Sequence, residues 1–175
     1  IADDLNTTTA DVSLSLSSFF IGISAGQLLY GPLYDRFGRK KRLIIGLSAY
    51  IITSLFCAFT TDLNVLILMR FVQAVGSCAA GVAATVFVRD LFPVKDNAKI
   101  FSLLMLVLGT SPMIAPTLGG YLTKALGWQS VFVFLAALAL GMLISVIFGL
   151  PSVYKPNHAI SLKPKPILKG FLTVI

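Results

Sequence analysis

The charged residues of this chain are spaced so that they leave five long stretches without any charge. Twenty-three uncharged residues separate Asp11 from Asp35, 19 separate Arg42 from Asp62, 18 separate Arg70 from Arg89, 24 separate Lys99 from Lys124, and 30 separate Lys124 from Lys155. A hydrocarbon core about 30 Å thick takes roughly 20 helical residues at about 1.5 Å each, so each stretch is long enough to cross a bilayer. Strands of a membrane barrel would alternate in polarity over about 10 residues. LIIGLSAYIITSLF and VFVFLAALALGMLISVIF show no such alternation. Only 12% of the 175 residues are charged and 57% are apolar, against about 25% charged in a soluble domain. The sequence therefore predicts an all-α membrane protein, a multi-helix transmembrane bundle. Its spans fall at about 14–34, 43–61, 64–88, 100–122 and 129–150, and a basic linker occupies 151–175.

Basic residues in short connections mark the cytoplasmic side. If 35–42, 89–99 and the tail face inward, that side holds Arg36, Arg39, Lys40, Lys41, Arg42, Arg89, Lys95, Lys99, Lys155, Lys163, Lys165 and Lys169, twelve of the fourteen Lys and Arg. The opposite side keeps Lys124, with Asp3, Asp4, Asp11 and Asp62. The net charge of +7 is then a matter of topology and anionic lipid rather than of nucleic acid, which would need its basic residues on one exposed patch. The expected orientation puts the N-terminus outside and the linker inside. The acidic flank before the first apolar run does not suit a secretory signal. An odd number of helices with an outside N-terminus suggests that at least one helix precedes Ile1. In the tail, Ile167, Phe171 and Ile175 recur at helical spacing beside Lys169, which fits either a short amphipathic helix on the inner surface or a plain linker.

Enzyme chemistry finds little to work with. Cys57 and Cys78 fall inside spans, where a thiol acts as a small apolar residue, and neither has a metal-ligand spacing. His158 lies in the tail and no Glu is present, so no acidic or histidine cluster sits at depth. No metal or cofactor is expected.

Three motifs carry the functional reading. The first is GPLYDRFGRKKRL at 31–43. Gly31 permits close helix approach, and Asp35 is a negative charge at the C-terminal end of its helix, where it is disfavoured without a partner. Arg39 and the exposed N–H groups of a neighbouring helix N-terminus are the candidate partners. Gly38 supplies the reversal, and Arg39 to Arg42 would anchor the turn among lipid phosphates. The second is LILMRFVQAVGSCAAG at 66–81, whose Arg70 is the one ionised residue inside a span. Arg at depth costs about 2.5 kcal/mol or more on insertion scales, so it needs a partner unless it reaches back to the outer interface. Gly76, Ala80 and Ala84 form one small-residue strip on that helix and Ser77, Gly81 and Thr85 another, and Gly22 with Gly26 forms a similar one in the first span; such strips let membrane helices pack closely. The third is GTSPMIAPTLGGYL at 109–122, with two prolines that each remove a helix hydrogen bond.

The pattern G-x-L-x-D-R-x-G-R-K in the first motif resembles the loop between helices two and three of the major facilitator superfamily, matched at Gly31, Leu33, Asp35, Arg36, Gly38, Arg39 and Lys40. The resemblance implies that the spans are family helices two to six, so that helix one and the C-terminal half of the same polypeptide would be missing partners. It implies a conformational lock at Gly31, Asp35, Arg36, Gly38 and Arg39, with Asp90 as the second carboxylate. The family's fourth helix carries R-x-x-Q-G-x-G, with an arginine implicated in proton coupling; Arg70, Gln73 and Gly76 match, and Ala74 replaces a glycine. The third motif resembles the antiporter motif of the fifth helix at Pro116, Gly119 and Gly120, with Gly109 and Pro112 beside them and Ala115 in place of a glycine. Together with VRDLF and GWQSVF, the phrasing resembles the bicyclomycin-resistance (Bcr/CflA-type) branch of drug:proton antiporters. By this resemblance the chain serves a bacterial inner-membrane exporter of small amphipathic compounds, exchanging them for protons by alternating access. The titrating carboxylate would lie outside these spans. Phe20, Tyr30, Tyr50 and Phe101 could line a tolerant cavity or face lipid. A sugar or metabolite symporter of the same superfamily and a non-transporting scaffold or receptor are the alternatives.

Overall fold

The computed structural model describes residues 7–37, 39–91 and 93–149; within these, the side chains of Leu29, 31–39, 90, 91 and 94 fall outside the description. Five helices follow one another: α1 Thr9–Phe37, α2 Arg39–Phe59, α3 Leu63–Leu91, α4 Val94–Leu126 and α5 Gln129–Gly149. In lipid a chain must satisfy its backbone polar groups internally, and a helix does so within one segment. The connections are a few residues long, too short for anything but a reversal to an antiparallel neighbour. Among the described residues four helices, α2 to α5, are long and apolar enough to cross a bilayer. The fifth, α1, is 29 residues long but more polar, with Ser13, Ser15, Ser17, Ser18 and Ser24 along it. Most of those hydroxyls bond carbonyls three or four residues back within α1, which satisfies them without a partner helix.

Local chemistry fixes the helix ends. Asp62 precedes α3 and its Oδ1 accepts the Asn64 N–H at 2.8 Å, which satisfies one of the free N-terminal donors. Pro93, with φ −65° and ψ 149°, precedes α4. Gly127 ends it at φ 85°, a backbone conformation that favours glycine, and its N–H bonds the Thr123 carbonyl at 3.1 Å. The helix runs unbroken across both Pro112 and Pro116.

The centre of the bundle is α3. On one side α1 packs against it where Gly22 meets Ala74 and Phe71, and Gly26 meets Cys78. On another side α2 crosses it at Gly46 and Gly76; a Cβ on Gly76 would stand 2.9 Å from the Gly46 carbonyl oxygen. Of the two strips expected on α3, Gly76 belongs to the packed surface together with Ala79 and Ala83, whereas Gly81 meets open space and Thr85 is exposed. The α5 helix packs on α2. Two buried clusters result. One, towards the α1–α2 turn, joins Tyr30, Leu43, Leu47, Cys78, Ala79, Ala83 and Val146. The other, at the opposite end, joins Cys57, Ala58, Leu66, Trp128 and Phe132. By contrast α4 touches the rest only lightly, and none of its apolar window is buried. Tyr30, one of the aromatics expected at a cavity or the lipid face, is buried in the first cluster.

Candidate functional site

Arg70 lies about two turns into α3, beside the second cluster. Its guanidinium carbon is 4.6 Å from the ring centroid of Phe132 on α5 and 5.4 Å from that of Phe19 on α1. Aromatic faces carry negative quadrupole charge and attract a cation, the more so where water is scarce. Phe132 in turn packs perpendicular to the ring of Trp128, with ring centroids 5.9 Å apart. Ser18, next to Phe19, donates to the Ile67 carbonyl at 2.9 Å and ties α1 to α3 at this level.

A hydrogen-bond chain leads inward from the guanidinium. Arg70 Nη1 donates to Gln73 Oε1 at 3.2 Å, Gln73 Nε2 donates to Ser54 Oγ at 2.7 Å, and Ser54 Oγ donates to the Tyr50 carbonyl at 2.7 Å. Gln73 and Ser54 are both 0% exposed, so water does not compete for their polar atoms. Arg70 Nε is buried without a hydrogen-bond partner. Among the described residues no carboxylate pairs with Arg70. Among the described residues its charge is met by two π faces and one neutral amide oxygen, with no opposite charge beside it in this low-dielectric setting.

The sequence pattern R-x-x-Q singled out Arg70 and Gln73, and the structure brings them together. It also adds Ser54, Phe19 and Phe132, three residues on three other helices that sequence reading did not select. Ser54 had a weak signal as a polar residue in an apolar run. Phe132 stood only as the last residue of GWQSVF, with no role attached, and nothing along the chain distinguishes Phe19 from other lipid-facing or core aromatics.

The other two motifs stand apart from this centre. Gly31, Asp35, Arg36 and Arg39 lie in α1 and α2 and Asp90 in α3, but their side chains, like Gly38 and the whole tail with Ile167, Lys169, Phe171 and Ile175, lie outside the described residues. Lys40 is described. Its Nζ donates to the Ile147 carbonyl in the last turn of α5 at 2.9 Å, so this member of the basic run engages protein. On α4, a Cβ at Gly109, Gly119 or Gly120 would meet nothing within 4 Å. Pro112 and Pro116 are likewise exposed, so among the described residues no other helix lies against this motif.

Comparison with known proteins agrees with this architecture. The sequence profile of the Major Facilitator Superfamily matches residues 1–174. The chain is 32% identical over 172 residues to a bicyclomycin resistance protein homolog of Haemophilus influenzae, covering 98% of the chain and 43% of that relative. It is 36% identical over 140 residues to a chloramphenicol resistance protein of Pseudomonas aeruginosa, covering 79% and 33% respectively. With the multidrug resistance protein MdtL of Escherichia coli it shares 32% identity over 165 residues, 94% of the chain and 42% of that relative. The chain thus spans less than half the length of these curated relatives. With four helices fit to cross a bilayer among the described residues and a family match that runs almost end to end, this chain belongs to the major facilitator superfamily of multi-pass membrane transporters.

Proposed function

We propose that the protein exports small amphipathic, drug-like compounds across a bacterial inner membrane in exchange for protons, by alternating access of a rocking helical bundle. The N-terminus of the sequence faces outward and the tail from 151 faces the cytoplasm, on the distribution of basic residues. The names of the relatives support an exported drug-like substrate. The observation that carries proton coupling is the charge of Arg70, with no opposite charge beside it among the described residues. A cation held by neutral groups in an apolar setting has its energy set by the nearest ionisable acid, so protonation of that acid and the position of Arg70 are coupled. The acid belongs to the part of the polypeptide that the relatives possess beyond the matched region. Asp35, Arg39 and Asp90 form the cytoplasmic lock, and the Pro112 and Pro116 helix favours exchange over symport.

The test is efflux of ethidium from vesicles bearing the full-length protein under an imposed pH gradient, at matched expression. Arg70→Ala abolishes gradient-driven efflux. Arg70→Lys keeps the charge but loses the planar fork of donors and the flat face that stacks on Phe132, and retains partial activity at best. Efflux by the alanine variant equal to that of the parent, with the same pH dependence, overturns the proposal. Gradient-driven uptake in place of efflux favours a symporter.

A further inference from the structure

We infer that Ser54 is a positioning residue for the Arg70 centre, acting through Gln73: it fixes which end of the Gln73 amide faces the guanidinium. The inference rests on Arg70 being the coupling cation, but its geometry stands independently of that role. A glutamine amide has one accepting and one donating end of nearly the same shape, and only the oxygen end suits a guanidinium, which can only donate. The two ends are therefore not interchangeable next to Arg70, and some other group must hold the amide the right way round.

Ser54 does so by counting protons. Its hydroxyl has a single hydrogen. The Tyr50 carbonyl, 2.7 Å away, can only accept, so that hydrogen points to it. Ser54 Oγ is then left as an acceptor towards Gln73, also at 2.7 Å, and an acceptor there demands the NH2 end of the amide. The oxygen end must face Arg70, where it is found at 3.2 Å. The reversed amide would set its NH2 against the guanidinium and force the hydroxyl off the Tyr50 carbonyl. Because Ser54 and Gln73 are 0% exposed, no solvent relieves either loss. The ultimate reference is a backbone carbonyl, which no side-chain motion reverses. The contact also depends on helix approach: a Cβ at Gly76 would sit 3.1 Å from the Tyr50 nitrogen, so the glycine one turn along α3 is what lets α2 come near enough for Ser54 to reach Gln73.

A purely structural serine would satisfy the buried Gln73 amide without bearing on Arg70, and the test separates the two. In the full-length protein, the rate at which phenylglyoxal modifies Arg70 is followed by mass spectrometry of the Arg70 peptide, alongside the pH profile of ethidium efflux. Ser54→Ala raises the modification rate on the order of tenfold, in keeping with loss of a hydrogen bond to a charged group, and shifts the efflux profile. Ser54→Thr, which keeps the hydroxyl, restores both. Thr53→Val removes a neighbouring buried hydroxyl that bonds the Ala49 and Tyr50 carbonyls of its own helix, and changes neither. The deciding arm is Gln73→Leu: if Ser54 acts through Gln73, adding Ser54→Ala to that variant has no further effect. An undiminished Ser54→Ala effect in the Gln73→Leu background, or an equal effect of Thr53→Val, overturns the inference. If the parent protein moves no ethidium under a gradient, the transport proposal fails while the phenylglyoxal measurement still decides the role of Ser54.

Discussion

Phe132 faces Arg70 with its ring centroid 4.6 Å from the guanidinium carbon, and so a residue of α5 stabilises the charge that Arg70 carries in α3. Phe132→Leu keeps an apolar side chain but removes the π face. The expected loss is about 1–2 kcal/mol from a largely desolvated cation–π contact, together with a smaller packing loss, read as a lower thermal midpoint in detergent. Phe132→Tyr keeps the face and stays close to the parent. If Phe132→Leu leaves both midpoint and efflux at parental values, the ring is only filling space.

Helix approach at Gly76 can be tested against a glycine on the same helix. A Cβ at Gly76 would lie 2.9 Å from the Gly46 carbonyl oxygen, which is backbone and cannot swing aside, whereas a Cβ at Gly81 would meet nothing within 4 Å. Gly76→Ala should therefore cost about 1–3 kcal/mol through overpacking. Gly81→Ala should be neutral or slightly stabilising, since alanine is the better helix former. Thermal unfolding of the two variants side by side checks this, and equal midpoints would refute the crossing.

The start of α1 has a pH dependence of known sign. Asp11 Oδ2 accepts from the Thr8 hydroxyl at 2.6 Å, from the Thr7 hydroxyl at 3.1 Å and from the Thr8 N–H at 3.4 Å, while the Asp11 N–H bonds the Thr8 hydroxyl in return at 3.2 Å. This is a reciprocal cap. The hydroxyl bond from Thr8, then that from Thr7, holds the Asp11 carboxyl below the ordinary aspartate value. A carboxylate lowered in the folded state contributes stability that is complete above its unfolded value and is lost as pH falls through its folded one. Hydrogen exchange of the amides at 9–13 should thus stay slow, after correction for intrinsic rates, down to the ordinary aspartate range and quicken below it. Asp11→Asn should remove that step, and a step unchanged in the variant would assign it to another group.

How much of this was readable along the chain differs from element to element. The uncharged intervals disclosed the helices because charge at depth is expensive, a constraint that acts on each residue separately. Arg70 was legible for the same reason, and Gln73 through the resemblance of R-x-x-Q to the family's fourth-helix pattern. Ser54, Phe19 and Phe132 were not, since their importance comes from which helices adjoin, and a helix in lipid carries no polar outer face from which its neighbours could be inferred. The small-residue strips show the same limit. Gly76 and Gly81 look equivalent in sequence, yet one meets the α2 backbone and the other meets open space.

The orientation inferred from basic residues has a direct check. Lys124 and Lys41 are exposed and lie at opposite ends of the bundle, near the α4–α5 and α1–α2 turns. Cys57 and Cys78 are buried, so the native thiols should stay silent. In intact cells, Lys124→Cys should react with an impermeant maleimide and Lys41→Cys should react only after the membrane is opened. The reverse pattern would invert the proposed topology and put the basic linker outside.

Lys40 yields the remaining expectation. Within the loop motif it could have been one more topogenic charge, yet its Nζ donates to the Ile147 carbonyl at 2.9 Å, two residues before α5 ends at Gly149. The last carbonyls of a helix lack intrahelical partners and carry partial negative charge, so a cation there is worth about 0.3–1 kcal/mol at an exposed site. The bond also joins the first turn of α2 to the last turn of α5. Lys40→Met keeps the length of the side chain and removes the charge; it should speed hydrogen exchange of the amides at 144–149 severalfold while leaving those around Arg70 unchanged. Lys40→Arg should preserve the protection, because a guanidinium can still donate to the same carbonyl. Should Lys40→Met leave the exchange of the last α5 turn unaltered, the contact is incidental, and the basic run acts on lipid alone.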